Sequence, residues 1–169
     1  MTRLSLSGAL ALALFATGCS TTTVTMVDDM PDPAPTPGDM AMVSECVDGA
    51  ASAEGSTFEC SNVDLVAYVP LEAFDADQLN DIWGWTDSET GKEYAIVGLA
   101  NGTEFIDISN PTNPILLGKL PTQTVSTVWR DIKVYQDHAF IVSEARDHGM
   151  QVFDLTRLRG LTSDQGEFD

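Results

Sequence analysis

From residue 81 onward, short apolar runs alternate with polar positions and are punctuated by glycine, asparagine and proline, the period-two pattern of half-buried strands. One run, 104–108, lies between Asn101-Gly102 and the proline-bounded turn Ser109-Asn110-Pro111-Thr112-Asn113-Pro114. Its order returns at 149–156. There Gly149-Met150-Gln151-Val152-Phe153-Asp154-Leu155-Thr156 repeats glycine, polar, apolar pair, aspartate, aliphatic and hydroxyl, so Gly102 matches Gly149 and Asp107 matches Asp154 at an offset of 47. The match extends backward, with Tyr94-Ala95-Ile96-Val97-Gly98 against Ala139-Phe140-Ile141-Val142-Ser143 at offset 45, and Asp81-Ile82 against Asp131-Ile132 at offset 50. The drift falls in connections: 86–92 is the longer one in the first unit and 144–148 in the second, as expected when insertions collect in hairpin loops.

A period in the forties, made of short strands and glycine turns, predicts β-propeller blades. The expected strands are 81–85, 93–99, 104–108 and 115–120 in the first unit, then 128–134, 138–143 and 150–155 in the second. The fold class is all-β, about two four-stranded blades of a partial propeller, the second ending in a polar stretch without a visible fourth strand. Asn101-Gly102 reads as the central pair of a tight hairpin whose two positions take positive φ. Asp107 and Asp154 are expected to accept hydrogen bonds from the turn after each strand, with Pro111 presetting the first such turn. Trp83 and Trp85 fall on one face of a strand and read as packing between blades.

Upstream of the repeats the pattern changes. The run 63–71 reads as a strand ended by Pro70. The segment Asp75-Ala76-Asp77-Gln78-Leu79-Asn80-Asp81 gathers acidic and amide side chains, but an EF-hand loop needs glycine at its sixth place and glutamate at its twelfth, where Asn80 and Thr86 stand, so it reads as a turn. Cys46 and Cys60 form an even pair once Cys19 is set aside, and the Gly/Ala/Ser-rich stretch between them shows no periodicity of its own. A disulfide there would staple a segment that lacks a core, contributing about 3 kcal/mol on the chain-entropy account. Two free thiols or a metal site are the alternatives, and neither has histidines nearby.

The first 18 residues carry one base, Arg3, then the apolar run Leu10-Ala11-Leu12-Ala13-Leu14-Phe15 and small residues up to Cys19, the make-up of an export signal too short to span a membrane. A cysteine in that place resembles the bacterial lipobox, which implies lipid attachment at Cys19. An ordinary signal peptide with a chance cysteine is the alternative. Acyl chains bury CH2 groups at about 0.8 kcal/mol each, so two or three would hold the chain on a membrane, and Ser20 after the cysteine points to the outer membrane. Removal of residues 1–18 takes Arg3 and no acid, leaving 7 basic against 26 acidic residues and a net charge of −19. Nucleic acid and anionic lipid are therefore poor partners. The organisation expected is a signal peptide at 1–18, a disordered Thr/Asp/Pro-rich tether at 19–41, a disulfide-stapled segment at 42–80, two blades at 81–160 and the start of a continuation at 161–169.

No G-x-S-x-G elbow, H-E-x-x-H pair or phosphate-binding glycine loop occurs in the chain, and no catalytic residue is assigned. His138, His148, Glu144, Asp147 and Arg130 remain. Glu144, Asp147 and His148 lie in one hairpin loop and are the weak candidates for a metal, against the simpler reading of a solvated loop with a local Arg146 pair. Calcium or another divalent cation is the one cofactor this acidity suggests.

Taken together, Asp81-Ile82-Trp83-Gly84-Trp85, Phe105-Ile106-Asp107-Ile108-Ser109-Asn110-Pro111, Trp129-Arg130-Asp131-Ile132-Lys133-Val134 and His148-Gly149-Met150-Gln151-Val152-Phe153-Asp154-Leu155 resemble the choice-of-anchor B family with its LVIVD-type repeats. The cysteine segment followed by Ser61-Asn62-Val63-Asp64-Leu65 is similar to that family's N-terminal signature. The resemblance spans 46–159 and implies an exported surface propeller, here anchored through Cys19. Family members are longer, which implies that this chain is an N-terminal part. The expected function is a non-catalytic module that binds a protein or glycan at the cell surface. The alternative is an exported hydrolase or lyase with a metal-assisted site formed by several blades.

Overall fold

The computed structural model describes residues 43–169. The expected export signal, the lipid-attachment candidate Cys19 and the expected tether lie outside the described residues. The regular structure is almost entirely antiparallel sheet: a hairpin of β1 (Ala50–Ala53) and β2 (Ser56–Glu59), a four-stranded sheet of β3 (Leu79–Thr86), β4 (Glu93–Leu99), β5 (Gly102–Asp107) and β6 (Ile115–Pro121), and a three-stranded sheet of β7 (Arg130–Tyr135), β8 (His138–Ser143) and β9 (Met150–Asp154). In each sheet the strands pair in chain order, as in a propeller blade, and the two blade sheets do not close a ring.

The stapled segment is more regular than its composition suggests. Glu54 and Gly55 both take positive φ, 47° and 75°, the geometry of a two-residue hairpin turn, and Ala51 and Ala53 are buried on one face. Cys46 and Cys60 are disulfide-bonded with Cα atoms 5.9 Å apart. The amide of Cys60 donates to Gly49 O at 3.0 Å, so the bridge closes the base of the hairpin. The expected strand at 63–71 does not form. Its ladder is a single bridge from Leu65 to Ser44, and a 3-10 turn, Leu71–Phe74, follows Pro70. Val69 of that run, with Phe74 and Ala76 after it, packs on Ala95, Val97, Leu99 and Ile106 of the first blade.

The other face of the first blade packs against the second. Trp85, Tyr94, Ile96, Phe105, Leu117 and Leu120 meet Ile132, Ala139, Ile141, Phe153, Leu155 and Leu158. Phe105 stacks on Phe153 with centroids 4.3 Å apart, and Trp85 stacks on Tyr94 at 5.0 Å. Covered on both sides, β4 and β5 bury almost every residue.

The register corrects one alignment made from the letters. Val97 pairs with Ile82 and Glu104, whereas Ile141 pairs with Ile132 and Gln151, so the second strands correspond at offset 44, not 45. A one-residue slip exchanges the two faces of a strand, and under offset 45 Phe140 would take the place of Ala139.

The repeated glycine also has two causes. Ala100 and Asn101 form the β4–β5 turn, and neither they nor Gly102 takes positive φ. Gly102 is required by proximity, because a Cβ there would lie 2.5 Å from Leu120 O. Gly149 sits in open space with φ +68°.

The aspartates fulfil their expected role. Asp107 Oδ1 accepts from Ser109 N and Asp154 Oδ1 from Thr156 N, each at 2.9 Å. Pro111 lies in the turn closed by Asn113 N donating to Asn110 O. After β9 comes a 3-10 turn, Leu155–Leu158. Residues 165–168 then run back along the edge of β6: Gln165 N donates to Leu117 O, Lys119 N to Gly166 O and Phe168 N to Lys119 O. Gly118 permits this approach, since a Cβ there would meet Gly166 O at 2.7 Å.

Candidate functional site

Two of the chemistry-bearing side chains that the sequence singled out, Arg130 and His148, meet where β7 begins, at the seam between the two sheets. Arg130, the first residue of β7, is buried, and its guanidinium is shared among neutral acceptors: Nε donates to Leu99 O at 3.1 Å, Nη2 to Thr122 Oγ1 at 2.9 Å, and Nη1 lies 3.2 Å from His148 Nε2. His148 Nδ1 lies 3.2 Å from Gly149 O. These contacts fit an imidazole that donates from Nδ1 and accepts at Nε2. Burial lowers the Arg130 pKa from its ordinary value, and three acceptors offset the loss of water.

Above this buried pair is an open pocket of about 280 Å³ lined by Asn80, Trp129, Arg130, Asp131, Ser143 and Glu144. Trp129 is exposed at its edge, and Glu144 N donates to Trp129 O at 3.1 Å, which joins the β8–β9 loop to the start of β7. The pocket therefore combines an exposed indole face and two carboxylates with a guanidinium beneath, a set suited to hydroxyl- and amide-bearing ligands.

The three metal candidates are not brought together. His148 is turned inward and its Nε2 lone pair is engaged by Arg130, while Asp147 stands in solvent beside Arg146 at 3.4 Å, a pair too exposed to add measurable stability. Glu144 alone borders the pocket. Among the described residues no group of three or more His, Cys, Asp or Glu side chains is placed to hold a metal ion. His138 is a turn-flanking residue, its Nδ1 2.7 Å from Gln136 O. The acidic 75–81 segment borders a separate depression of about 550 Å³ with Glu72, Asn101 and Ser126.

Several contacts that organise the seam join residues about 50 positions apart in the chain. Asp81 Oδ2 accepts from Ile132 N at 2.8 Å, Asn80 Nδ2 donates to Arg130 O at 2.8 Å, and Trp85 Nε1 donates to Asp137 Oδ1 at 3.1 Å. Lys133 Nζ sits 4.1 Å from the centre of the Trp83 ring. At the far end Arg159 grips Asp87 with two hydrogen bonds, 2.8 and 2.9 Å, and bridges to Glu89. That guanidinium holds the Asp87 carboxyl down at about 2 against the opposing effect of burial. Lys92 bonds Asp107 at 2.7 Å, which raises the lysine pKa; burial would lift the Asp107 carboxyl, but the bonds from Lys92 and Ser109 outweigh it and hold it below its usual range.

Among known proteins, the chain matches a family model described as the LVIVD repeat over residues 91–122. No curated protein and no solved structure matches the chain significantly. The matched span contains β4, β5 and β6 of the first blade, and over it this chain is similar to an LVIVD repeat.

Proposed function

We propose that the chain is an exported, lipid-anchored surface protein of the choice-of-anchor B type, whose propeller-like blades form a non-catalytic module for a protein or glycan ligand. The observation that carries the reading is the state of the seam: the Arg130 guanidinium and the His148 imidazole are engaged with each other and with Leu99 O, Thr122 Oγ1 and Gly149 O, which leaves Trp129, Asp131 and Glu144 as the open rim of the pocket. The apolar run before Cys19 supports export, and the small residues leading to that cysteine support lipid attachment on the outer membrane. A net charge of −18 argues against nucleic acid as the partner.

The test is expression of the full chain in a Gram-negative host, with intact mass and membrane fractionation of the parent and of Cys19→Ser, followed by screening of displayed protein against glycans and surface proteins. The expected result is acyl mass on the parent only, and binding that Trp129→Ala weakens, with no turnover and no effect of a chelator. Metal-dependent turnover lost in Glu144→Ala would replace it with the hydrolase or lyase reading.

A further inference from the structure

Residues 164–168 lie along the outer edge of β6 as a strap, and little holds them there. Three backbone bonds join the strap to Leu117 and Lys119, and the Phe168 ring stands edge-on to Phe105 and Phe153, with centroids 5.6 and 5.1 Å apart. Apart from Phe168 the strap is exposed. It is also one wall of a pocket of about 220 Å³, which Asp164, Gly166 and Glu167 line together with Glu104 of β5, Lys119 of β6 and Asp75.

The charges around this pocket are unbalanced. Glu104 is 4% exposed, and among the described residues its carboxyl takes one hydrogen bond, from Gly118 N. Lys119 is its cross-strand neighbour, but that ammonium is turned to Phe74 O and Asp75 O, 3.2 Å from each, with the Asp75 carboxylate at 3.9 Å. From the strap come Glu167 and Asp164, whose Oδ1 accepts from Gly166 N at 2.7 Å. An ionised Glu104 therefore has three other carboxylates around its pocket and one ammonium, already shared with Asp75 and two carbonyls.

We infer that the strap is a latch on the β6 edge, seated while Glu104 carries a proton and loosened when that proton is lost. An unpaired buried carboxylate is relieved by water, and letting water in breaks only the three backbone bonds and the Phe168 contact, whereas the rest of the blade is held by the seam. Burial lifts the Glu104 carboxyl from 4.5 to about 7, with Asp164 adding to the rise and the Gly118 bond and Lys119 opposing it. The seated state thus keeps a proton that the open state releases. Opening gains nothing below about pH 4.5, grows more favourable as the pH rises from there, and levels off above about 7 at no more than about 300-fold, the factor set by the gap between the two values. An open latch bares Leu117 O, Lys119 N and Lys119 O, an unpaired edge to which an extended chain can add.

Native-state amide exchange of the full chain, with the disulfide intact, tests the latch. The amides of Lys119 and Phe168 report on the strap, because each is bonded across it, and the amides of β4 report on the blade. After correction for intrinsic rates, protection at Lys119 and Phe168 is expected to fall at least tenfold between about pH 5 and about pH 8, through an opening that low urea does not accelerate. The β4 amides are expected to exchange more slowly and with the urea dependence of global unfolding. Glu104→Gln is expected to abolish the fall at the strap, and Asp164→Asn, an exposed change that keeps an acceptor for Gly166 N, to reduce it. Protection at Lys119 and Phe168 that tracks β4 in rate and urea dependence overturns the proposal. So does protection that stays level with pH, or a fall that both variants retain in full.

Discussion

Glu104 lies in the middle of β5 with its carboxyl buried, and Gly118 N donates to its Oε1 at 3.1 Å. Burial pushes its pKa from 4.5 up to about 7; the Gly118 bond and Lys119 pull it down, and Asp164 adds to the rise. A carboxyl whose folded pKa exceeds its unfolded value keeps, in the folded state, a proton that the unfolded chain has released. Its contribution to stability is therefore fully present below about pH 4.5 and is lost as the pH climbs through about 7. At about 1.4 kcal/mol per pH unit, the gap amounts to about 3 kcal/mol. Glu104→Gln abolishes the titration and keeps an acceptor for Gly118 N, while its amide N–H2 adds a cost that does not vary with pH. Urea unfolding of parent and variant with the disulfide intact, at pH 4.5 and pH 8, is expected to show the variant gaining about 3 kcal/mol on the parent between the two conditions. A difference that stays flat across this range would refute the burial argument.

Four further variants probe the turns, the seam and the staple. Gly102→Ala drives a Cβ to 2.5 Å from Leu120 O and is expected to cost about 3 kcal/mol, whereas Gly149→Ala meets open space and costs about 1 kcal/mol for its positive φ, both read by urea unfolding. Arg130→Lys cannot serve Leu99 O, Thr122 Oγ1 and His148 Nε2 together, and loses about 2 kcal/mol in thermal unfolding. Replacing Cys46 and Cys60 by serine loosens the β1–β2 hairpin by about 3 kcal/mol, seen as faster amide exchange at Ala51 and Ser52 with β4 unaffected.

The blades were legible because their signals are local. Alternating apolar residues mark a pleated strand wherever it packs, and a short carboxylate after such a run caps its own turn, as Asp107 and Asp154 do. The β1–β2 hairpin was hidden because alanine and serine carry little hydrophobic contrast and because Glu54 supplies the positive φ usually given to asparagine or glycine. The run 63–71 has the apolar content of a strand, but it pairs only at Leu65 and gives Val69 to the cover on the first blade. The offset of 45 matched letters, whereas register is decided by which side chains reach the neighbouring sheet. The seam was illegible for the same reason. Asp81 and Ile132, or Arg159 and Asp87, are joined by stacking of the sheets and not by any spacing along the chain. Arg130 and His148 could be named as candidates, but only their burial showed that each occupies the other.

The two sheets are successive repeats stacked front to back at offsets of 50, 44 and 47. Nuclear Overhauser contacts of the Phe105 ring test this stacking. Strong cross-peaks are expected to the Phe153 ring, 4.3 Å away, and none to Phe140, which belongs to the opposite face of β8. Cross-peaks from Phe105 to Phe140 in place of Phe153 would mean that the second blade presents its other face, and would contradict both the register and the stacking.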